Sequence, residues 1–349
     1  DCDLGIRILI DIGSKVLVRL LNMCCAGDEC NPSVGVFRKS SSVSGPAMSV
    51  TVVVKNGAST VGEGPHWDEA TQTLLYVDIL AGDVHRWNSV TGQDEKIHLD
   101  ASVGFVTPCR KGGYMVGLGK SLAHMNWEAN AVTNLQEVDL EKNTRFNDGK
   151  CDPSGRLWAG TMGMETKPTV LEHYQGSLYS LEKDGTLKTH LDKISISNGL
   201  AWSEDNRTMF YIDSIPRKVY AFDFDITTGE ISNQRTAVDF GGPDTIESLG
   251  FPDGMTSDTE GKLWVACYSA GKVVQFDCET GKELRSVEFP AKKTTSCCFG
   301  GKNFDELYVT CAKTGLTEEE FQTQQPLAGS VFKVTGLGVK GKPMYVYEG

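Results

Sequence analysis

Residues 258–265 read Asp-Thr-Glu-Gly-Lys-Leu-Trp-Val, a turn signal running into a short strand with a large aromatic residue at its centre. The pattern returns along the chain. Leu75-Tyr76-Val77, Tyr114-Met115-Val116, Leu157-Trp158-Ala159, Phe210-Tyr211-Ile212, Leu263-Trp264-Val265 and Leu307-Tyr308-Val309 are six versions of one strand. Asp152-Pro-Ser-Gly155, Ser203-Glu-Asp-Asn206 and Lys302-Asn-Phe-Asp305 precede three of the other copies. Tyr76 and Tyr308 lie 232 residues apart over five intervals, about 46 per repeat. A further alternating strand follows most copies, at residues 82–87, 176–181, 217–222, 271–276 and 329–334. Closing turns such as Val90-Thr-Gly92, Thr227-Thr-Gly229 and Glu279-Thr-Gly281 come next. Period-two strands separated by frequent turns mean an antiparallel, all-β fold. A period of ~40–50 residues with about four strands per unit is that of a propeller blade. The repeat therefore predicts a six-bladed β-propeller over residues 48–349, with a central channel. A pair of β-sandwiches lacks this period.

The charge says what the surface is not made for. There are 34 Lys+Arg against 46 Asp+Glu, a formal charge of −12. Nucleic-acid binding needs clustered positive charge, so no nucleic-acid partner is expected. No run of ~18 or more uncharged apolar residues exists, so no membrane partner is expected either. Residues 1–47 differ from the rest. They hold Cys2, Cys24, Cys25 and Cys30, end in a Ser/Gly-rich stretch, and contain five acids and five bases, so the whole excess charge lies in the propeller. They are expected to be an N-terminal extension, non-native or disordered, with Met48 as the natural start; the other reading is an amphipathic targeting helix over residues 6–21. The seven remaining cysteines are scattered and form no CxxC pair, so neither a zinc finger nor a disulfide scaffold is indicated. A reducing, cytoplasmic location and a monomeric protein are expected.

Aligning the repeats shows what each blade offers to the channel. Four present an oxygen-bearing side chain next to glycine: Gly62-Glu63-Gly64-Pro65, Phe146-Asn147-Asp148-Gly149, Ser197-Asn198-Gly199-Leu200 and Pro252-Asp253-Gly254-Met255. The other two offer Val103-Gly104-Phe105 and Cys297-Cys298-Phe299, which are apolar or soft. Carboxylates and carboxamides are hard ligands, suited to Ca²⁺, Mg²⁺ or Mn²⁺, with Zn²⁺ at a mixed site. Carboxylates meeting in a channel repel unless a cation or a shared proton intervenes. Arg145 stands two residues before Asn147, on the same side of a strand, where it suits a polyhydroxy or anionic substrate. Other motifs fail on context. Gly336-Leu-Gly338-Val-Lys-Gly341 has too little chain after it for a dinucleotide-binding helix. Asp223-Phe-Asp225-Ile-Thr227-Thr-Gly229 misplaces the glycine of a calcium loop and reads as a hairpin turn. The six histidines show no HxH or HExxH spacing.

Several of these segments resemble the senescence marker protein/gluconolactonase family. They are Gly62-Glu63-Gly64-Pro65-His66-Trp67, Arg145-Phe-Asn147-Asp-Gly-Lys150, Gly176-Ser-Leu-Tyr179, Ile196-Ser-Asn198-Gly-Leu200, Phe251-Pro-Asp253-Gly254, Thr294-Thr-Ser-Cys-Cys-Phe-Gly-Gly301 and the ending from Thr335 to Gly341. The likeness covers residues 50–349. It implies one divalent cation (Ca²⁺, Zn²⁺, Mn²⁺ or Mg²⁺) in the channel, on Glu63, Asn198 and Asp253. It implies substrate-binding roles for Arg145, Asn147 and Glu165, the last in the loop after Gly160-Thr-Met-Gly163, and puts Lys188 near a lid-side position. The implied activity is hydrolysis of sugar acid lactones, together with calcium binding. Asp253 is the expected general base and Asp148 the second candidate. Two alternatives stand beside it: a calcium-binding regulatory protein whose site does no relevant chemistry, and a hydrolase acting on organophosphates or luciferin-derived substrates.

Overall fold

The turn at residues 258–261 shows how a blade is pinned. The Asp258 carboxylate accepts hydrogen bonds from the backbone N–H groups of Glu260 and Lys262 and, at 2.9 Å, from the Trp264 indole. Asp152 repeats the device with Ser154, Arg156 and, at 3.0 Å, Trp158. One buried carboxylate thus closes the turn and fixes the aromatic residue of the strand that follows. The closing turns are capped in the same way. The side chain of Asn88 accepts from Val90 and Thr91, that of Asp225 from Thr227 and Thr228, and that of Asp277 from Glu279 and Thr280. The segment containing Asp225 is therefore a hairpin turn, as its sequence indicates.

These hairpins build a computed structural model that describes residues 47–167 and 170–349, so the expectations for residues 1–46 lie outside the described residues. Six four-stranded antiparallel sheets follow one another as blades. Their inner strands are Gly62–Asp68, Val103–Pro108, Thr144–Cys151, Ser197–Trp202, Phe251–Ser257 and Thr294–Gly300. Blade 3 carries an insertion between its second strand, Leu157–Gly163, and its third, Gly176–Leu181: a two-stranded ribbon of Glu165–Lys167 and Val170–Leu171. Blade 6 takes three strands from the end of the chain and its outermost strand, Ser49–Val54, from the beginning. That pairing closes the ring.

Large aromatics fill the seams between blades. Trp67 of blade 1 stacks on Tyr308 of blade 6 at 5.1 Å between ring centroids, and Trp264 of blade 5 meets Phe299 of blade 6 edge-on at 5.8 Å. A blade is apolar on both faces and cannot bury either alone, so each hydrophobic cluster joins neighbours. Among the described residues every cysteine is free, and no helix is long and apolar enough to cross a membrane.

After its last strand, Val331–Thr335, the chain runs as a strap across one end of the ring. Gly341 N–H donates to Phe304 O of blade 6, and Thr259 N–H of blade 5 donates to Lys340 O. Lys342 pairs with Glu204 of blade 4, and Trp67 N–H of blade 1 meets the Met344 sulfur. Tyr347 pairs with blade 2 through Pro108 and Arg110, and Glu348 N–H donates to Gly155 O of blade 3. All six blades are therefore tied at one end. The segment 342–345 lines a small void with Lys150, Cys151, Trp202 and Ser257, at the C-terminal ends of the inner strands. The other end of the channel is where the polar residues gather.

A candidate metal centre at the mouth of the channel

Every inner strand breaks its ladder at the same level. The register slips between Glu63 and His66, Val103 and Val106, Phe146 and Asp148, Ser197 and Leu200, Pro252 and Met255, and Thr294 and Ser296. A bulge frees a side chain from strict alternation and re-aims it. Glu63, Asn147, Asn198, Asp253 and Thr295 stand at these bulges and all line one cavity of about 430 Å³, together with Arg145 and Glu165. Glycines at this level serve packing between blades. A Cβ on Gly199, which follows Asn198, would meet Asp253 O at 2.8 Å, and one on Gly104, which follows Val103, would meet Phe146 O at 2.5 Å. The inner strands of adjacent blades therefore touch at their backbones, which narrows the channel onto the side chains.

The side chains form one directed chain of hydrogen bonds. Arg145 donates to Asn147 Oδ1 at 2.7 Å. Asn147 Nδ2 donates to Ser197 O at 2.9 Å and to Asn198 Oδ1 at 3.2 Å. Asn198 Nδ2 donates to Ser214 Oγ at 2.8 Å, and Ser214 donates to Pro252 O at 2.7 Å, beside Asp253. The order fixes both amides, because each nitrogen has an acceptor and each oxygen a donor. Arg145 also faces Glu165, at 3.7 Å between Nη2 and Oε2. Arg145 and Asn147 thus point into one cavity, as alternation predicts, although the bulge at Asn147 interrupts the alternation itself.

Three buried carboxyl groups meet below. Burial raises the pKa of Glu63, and the nearby Asp148 raises it further. Burial followed by the charges of Glu63 and Asp148 pushes Asp253 well above the carboxylate range. Burial lifts Asp148 to about 6 against the pull of Lys150. Like charges in a dry site cannot all ionise without a cation. With Glu165 there are four carboxyl groups against Arg145 and Lys150, a balance that one divalent cation would neutralise. Glu63 Oε1 is buried with no hydrogen-bond partner, an orphaned acceptor of the kind a cation satisfies. Among the described residues no three His, Cys, Asp or Glu side chains are grouped to hold a metal by themselves. The expected set instead mixes the carboxylates of Glu63 and Asp253 with the amide oxygen of Asn198, and that chemistry fits a hard cation.

Other expectations change. Asp148 is buried against Glu63 and Asp253 but does not line the cavity; its carboxylate accepts from Gly149 N–H, so it sits behind the floor. Blade 6 is not soft, because its bulge falls at Thr295 rather than Cys297, and Thr295 lines the cavity while donating to Gly62 O of blade 1. Ser214 was not anticipated; it follows a second strand rather than an inner one, so no aligned motif marked it. Lys188 lies on the outer strand Leu187–Ile194 of blade 3, where it donates to Thr228 O at 3.0 Å, away from the cavity. Glu165 belongs to the inserted ribbon rather than to a plain loop.

The fold and this floor define a six-bladed propeller with an acidic, oxygen-rich site at one mouth of its channel. The chain belongs to the SMP-30/gluconolactonase/LRE-like family, whose model matches residues 61–313. It is 51% identical to regucalcin of Sus scrofa over 289 residues, 82% of this chain and 95% of that one. Among solved structures it is similar to a luciferin-regenerating enzyme at 37% identity and a TM-score of 0.79, covering 86% of this chain and 100% of that chain. It is similar to a calcium-binding protein, regucalcin, from Agrobacterium tumefaciens at 26% identity and a TM-score of 0.77, covering 85% and 96% of the two chains.

Proposed function

We propose that the protein is a divalent-cation-dependent hydrolase that opens sugar acid lactones and has a capacity to bind calcium. The observation that carries this reading is the combination, in one cavity, of an acidic floor with an arginine–amide–glutamate set beside it. Glu63, Asn198 and Asp253 would hold the cation, which supplies Lewis-acid polarisation of a carbonyl oxygen. Arg145, Asn147 and Glu165 hold the substrate hydroxyls and carbonyl in one orientation, which lowers the entropic cost of attack. Asp253, which lines the cavity, takes a proton from the water that attacks the carbonyl carbon; the ring C–O bond breaks and the ring oxygen leaves as a hydroxyl. Asp148 lies behind the floor and is the weaker candidate for that step.

The test is glucono-1,5-lactone hydrolysis with Ca²⁺, Mg²⁺, Mn²⁺ or Zn²⁺, before and after chelation. Turnover is expected only with a metal present. Asp253→Asn should lower kcat by ~10²-fold or more while the thermal midpoint holds, since it relieves repulsion among buried carboxyls. Full activity in that variant removes Asp253 from the mechanism. Absence of turnover with every metal, alongside retained calcium binding, would favour the regulatory reading. That reading draws on the calcium-binding relative, but it leaves the Arg145–Asn147–Glu165 set without a purpose.

A further inference from the structure

The ends of the second strands supply a further arc of the cavity. Each second strand runs antiparallel to its inner strand, so the chain returns to the mouth where the second strand ends. On blade 5 this brings Tyr268 and Ser269 to the cavity, and on blade 6 it brings Thr314, just past Cys311. None of these three side chains hydrogen-bonds to another described residue. The hydroxyls of Thr295 and Ser214, which line the same cavity, are taken up: Thr295 by Gly62 O and Thr310, Ser214 by Asn198 and Pro252 O. The uncommitted hydroxyls therefore lie on blades 5 and 6. Arg145, Asn147 and Glu165 lie on blade 3, which faces blade 6 across the six-bladed ring.

This arc is held in place before any ligand arrives. Lys293, which precedes the inner strand of blade 6, pairs with Tyr268 in an isolated bridge and sets its Nζ 6.0 Å from the Tyr268 ring centroid. The same Nζ donates to Thr314 O at 2.5 Å, and Thr314 N–H donates to Thr60 O at 3.0 Å. One lysine thus ties the two hydroxyl-bearing segments together. Ser269 stands at φ +74°, a left-handed conformation that a serine keeps only where its surroundings hold it. Ala270 N–H closes that turn onto Cys267 O at 3.1 Å. Burial, and then the charges of Asp253 and Glu165, raises the pKa of Tyr268, so its hydroxyl stays protonated and can donate. Groups fixed in advance cost little further ordering when a ligand binds.

The ring of a 1,5-lactone has the matching shape. Its carbonyl carbon is flanked by C2 on one side and by the ring oxygen on the other, and C5, beyond that oxygen, lies diagonally across from C2. With the carbonyl at the acidic floor and the C2 hydroxyl toward Arg145 and Asn147, a group on C5 points toward blades 5 and 6. We propose that Tyr268, Ser269 and Thr314, braced by Lys293, form a subsite for the exocyclic hydroxymethyl of a polyhydroxy lactone, so that the site prefers hexonolactones to pentonolactones. This rests on the hydrolase reading for the chemistry but on the hydroxyl arc alone for the preference. The experiment measures binding and turnover separately. Calorimetric titration in the presence of Ca²⁺ compares glucono-1,5-lactam with xylono-1,5-lactam, hydrolysis-resistant analogues that differ only in that hydroxymethyl. The gluconolactam should bind about tenfold tighter, the worth of one or two neutral hydrogen bonds. Tyr268→Phe and Thr314→Val, each checked for an unchanged fold by circular dichroism, should cut that preference severalfold without weakening the xylonolactam. Lys293→Met should narrow it as well and Lys293→Arg restore it; a full preference in Lys293→Met strikes out the brace. Loss of the preference in either hydroxyl variant upholds the subsite. No binding or equal binding of the two lactams by the wild type, or an unchanged preference in both hydroxyl variants, overturns it. The matching lactones are then assayed for kcat/KM. A lactam preference with neither lactone hydrolysed upholds the subsite and defeats the hydrolase reading. Hydrolysis of both lactones at equal kcat/KM does the reverse.

Discussion

Ser214 shows how much of this site depends on a residue that cannot do chemistry itself. Its hydroxyl accepts from Asn198 and donates to Pro252 O, joining the floor residues of blades 4 and 5. With alanine there, the Asn198 amide loses the partner that keeps its oxygen facing the floor. Partners of this kind typically govern metal affinity by ~10–100-fold. Ser214→Ala should therefore weaken cation binding by about that factor, read by competition against a chelator, while Ser214→Thr restores most of it. Unchanged affinity in the alanine variant would make the hydrogen bond ornamental. Residues such as Glu63, Asn198 and Asp253 were legible in the sequence because each precedes a glycine at the same level of its repeat. Thr295 was not, because the conspicuous Cys297-Cys298 pair drew the alignment two residues too far. Lys188 was misplaced because the sequence around it is less like the family's and does not say which strand of a blade it occupies.

At the scale of elements, the bulges decide the geometry. Six inner strands that alternated perfectly would send half of these side chains into the seams between blades. The slip at one level of every strand gathers them into the channel instead. Nothing in a single strand's pattern announces a bulge, so the period gave the blades and left the aim of their side chains open. Gly199 tests this level. A methyl group there would press on Asp253 O, Met255 N and the Met255 side chain, each at 2.8 Å, with mostly backbone atoms to displace. Overpacking of this sort costs ~1–3 kcal/mol. Gly199→Ala should lower the urea midpoint accordingly and reduce lactone turnover more than Ser197→Ala does. Wild-type stability would mean that blades 4 and 5 do not rely on this approach.

For the molecule as a whole, the repeat predicted the ring, and the charge excess predicted an acidic feature that the channel floor supplies. The strap was invisible beforehand, since residues 336–349 form no regular strand of their own beyond an isolated bridge at Tyr347. It buries Leu337 and Tyr347 and touches every blade. Ending the chain at Gly336 gives up two buried side chains worth ~1.5–3 kcal/mol each, so a loss of about 3–6 kcal/mol in unfolding free energy is expected from urea titration. An unaltered midpoint would show that the ring holds without it.

Closure of the last blade has a consequence in time. Ser49–Val54 is the earliest strand of the propeller to leave the ribosome, yet its partner, Val331–Thr335, is the latest. Until Val331–Thr335 has been made, that first strand has an open row of hydrogen-bonding groups and no neighbour to take them. Five blades can assemble in order behind it, but the ring cannot lock, and the floor shared between blades 1 and 5 is not complete. The ring around the site therefore closes only when the first and last strands of the propeller pair.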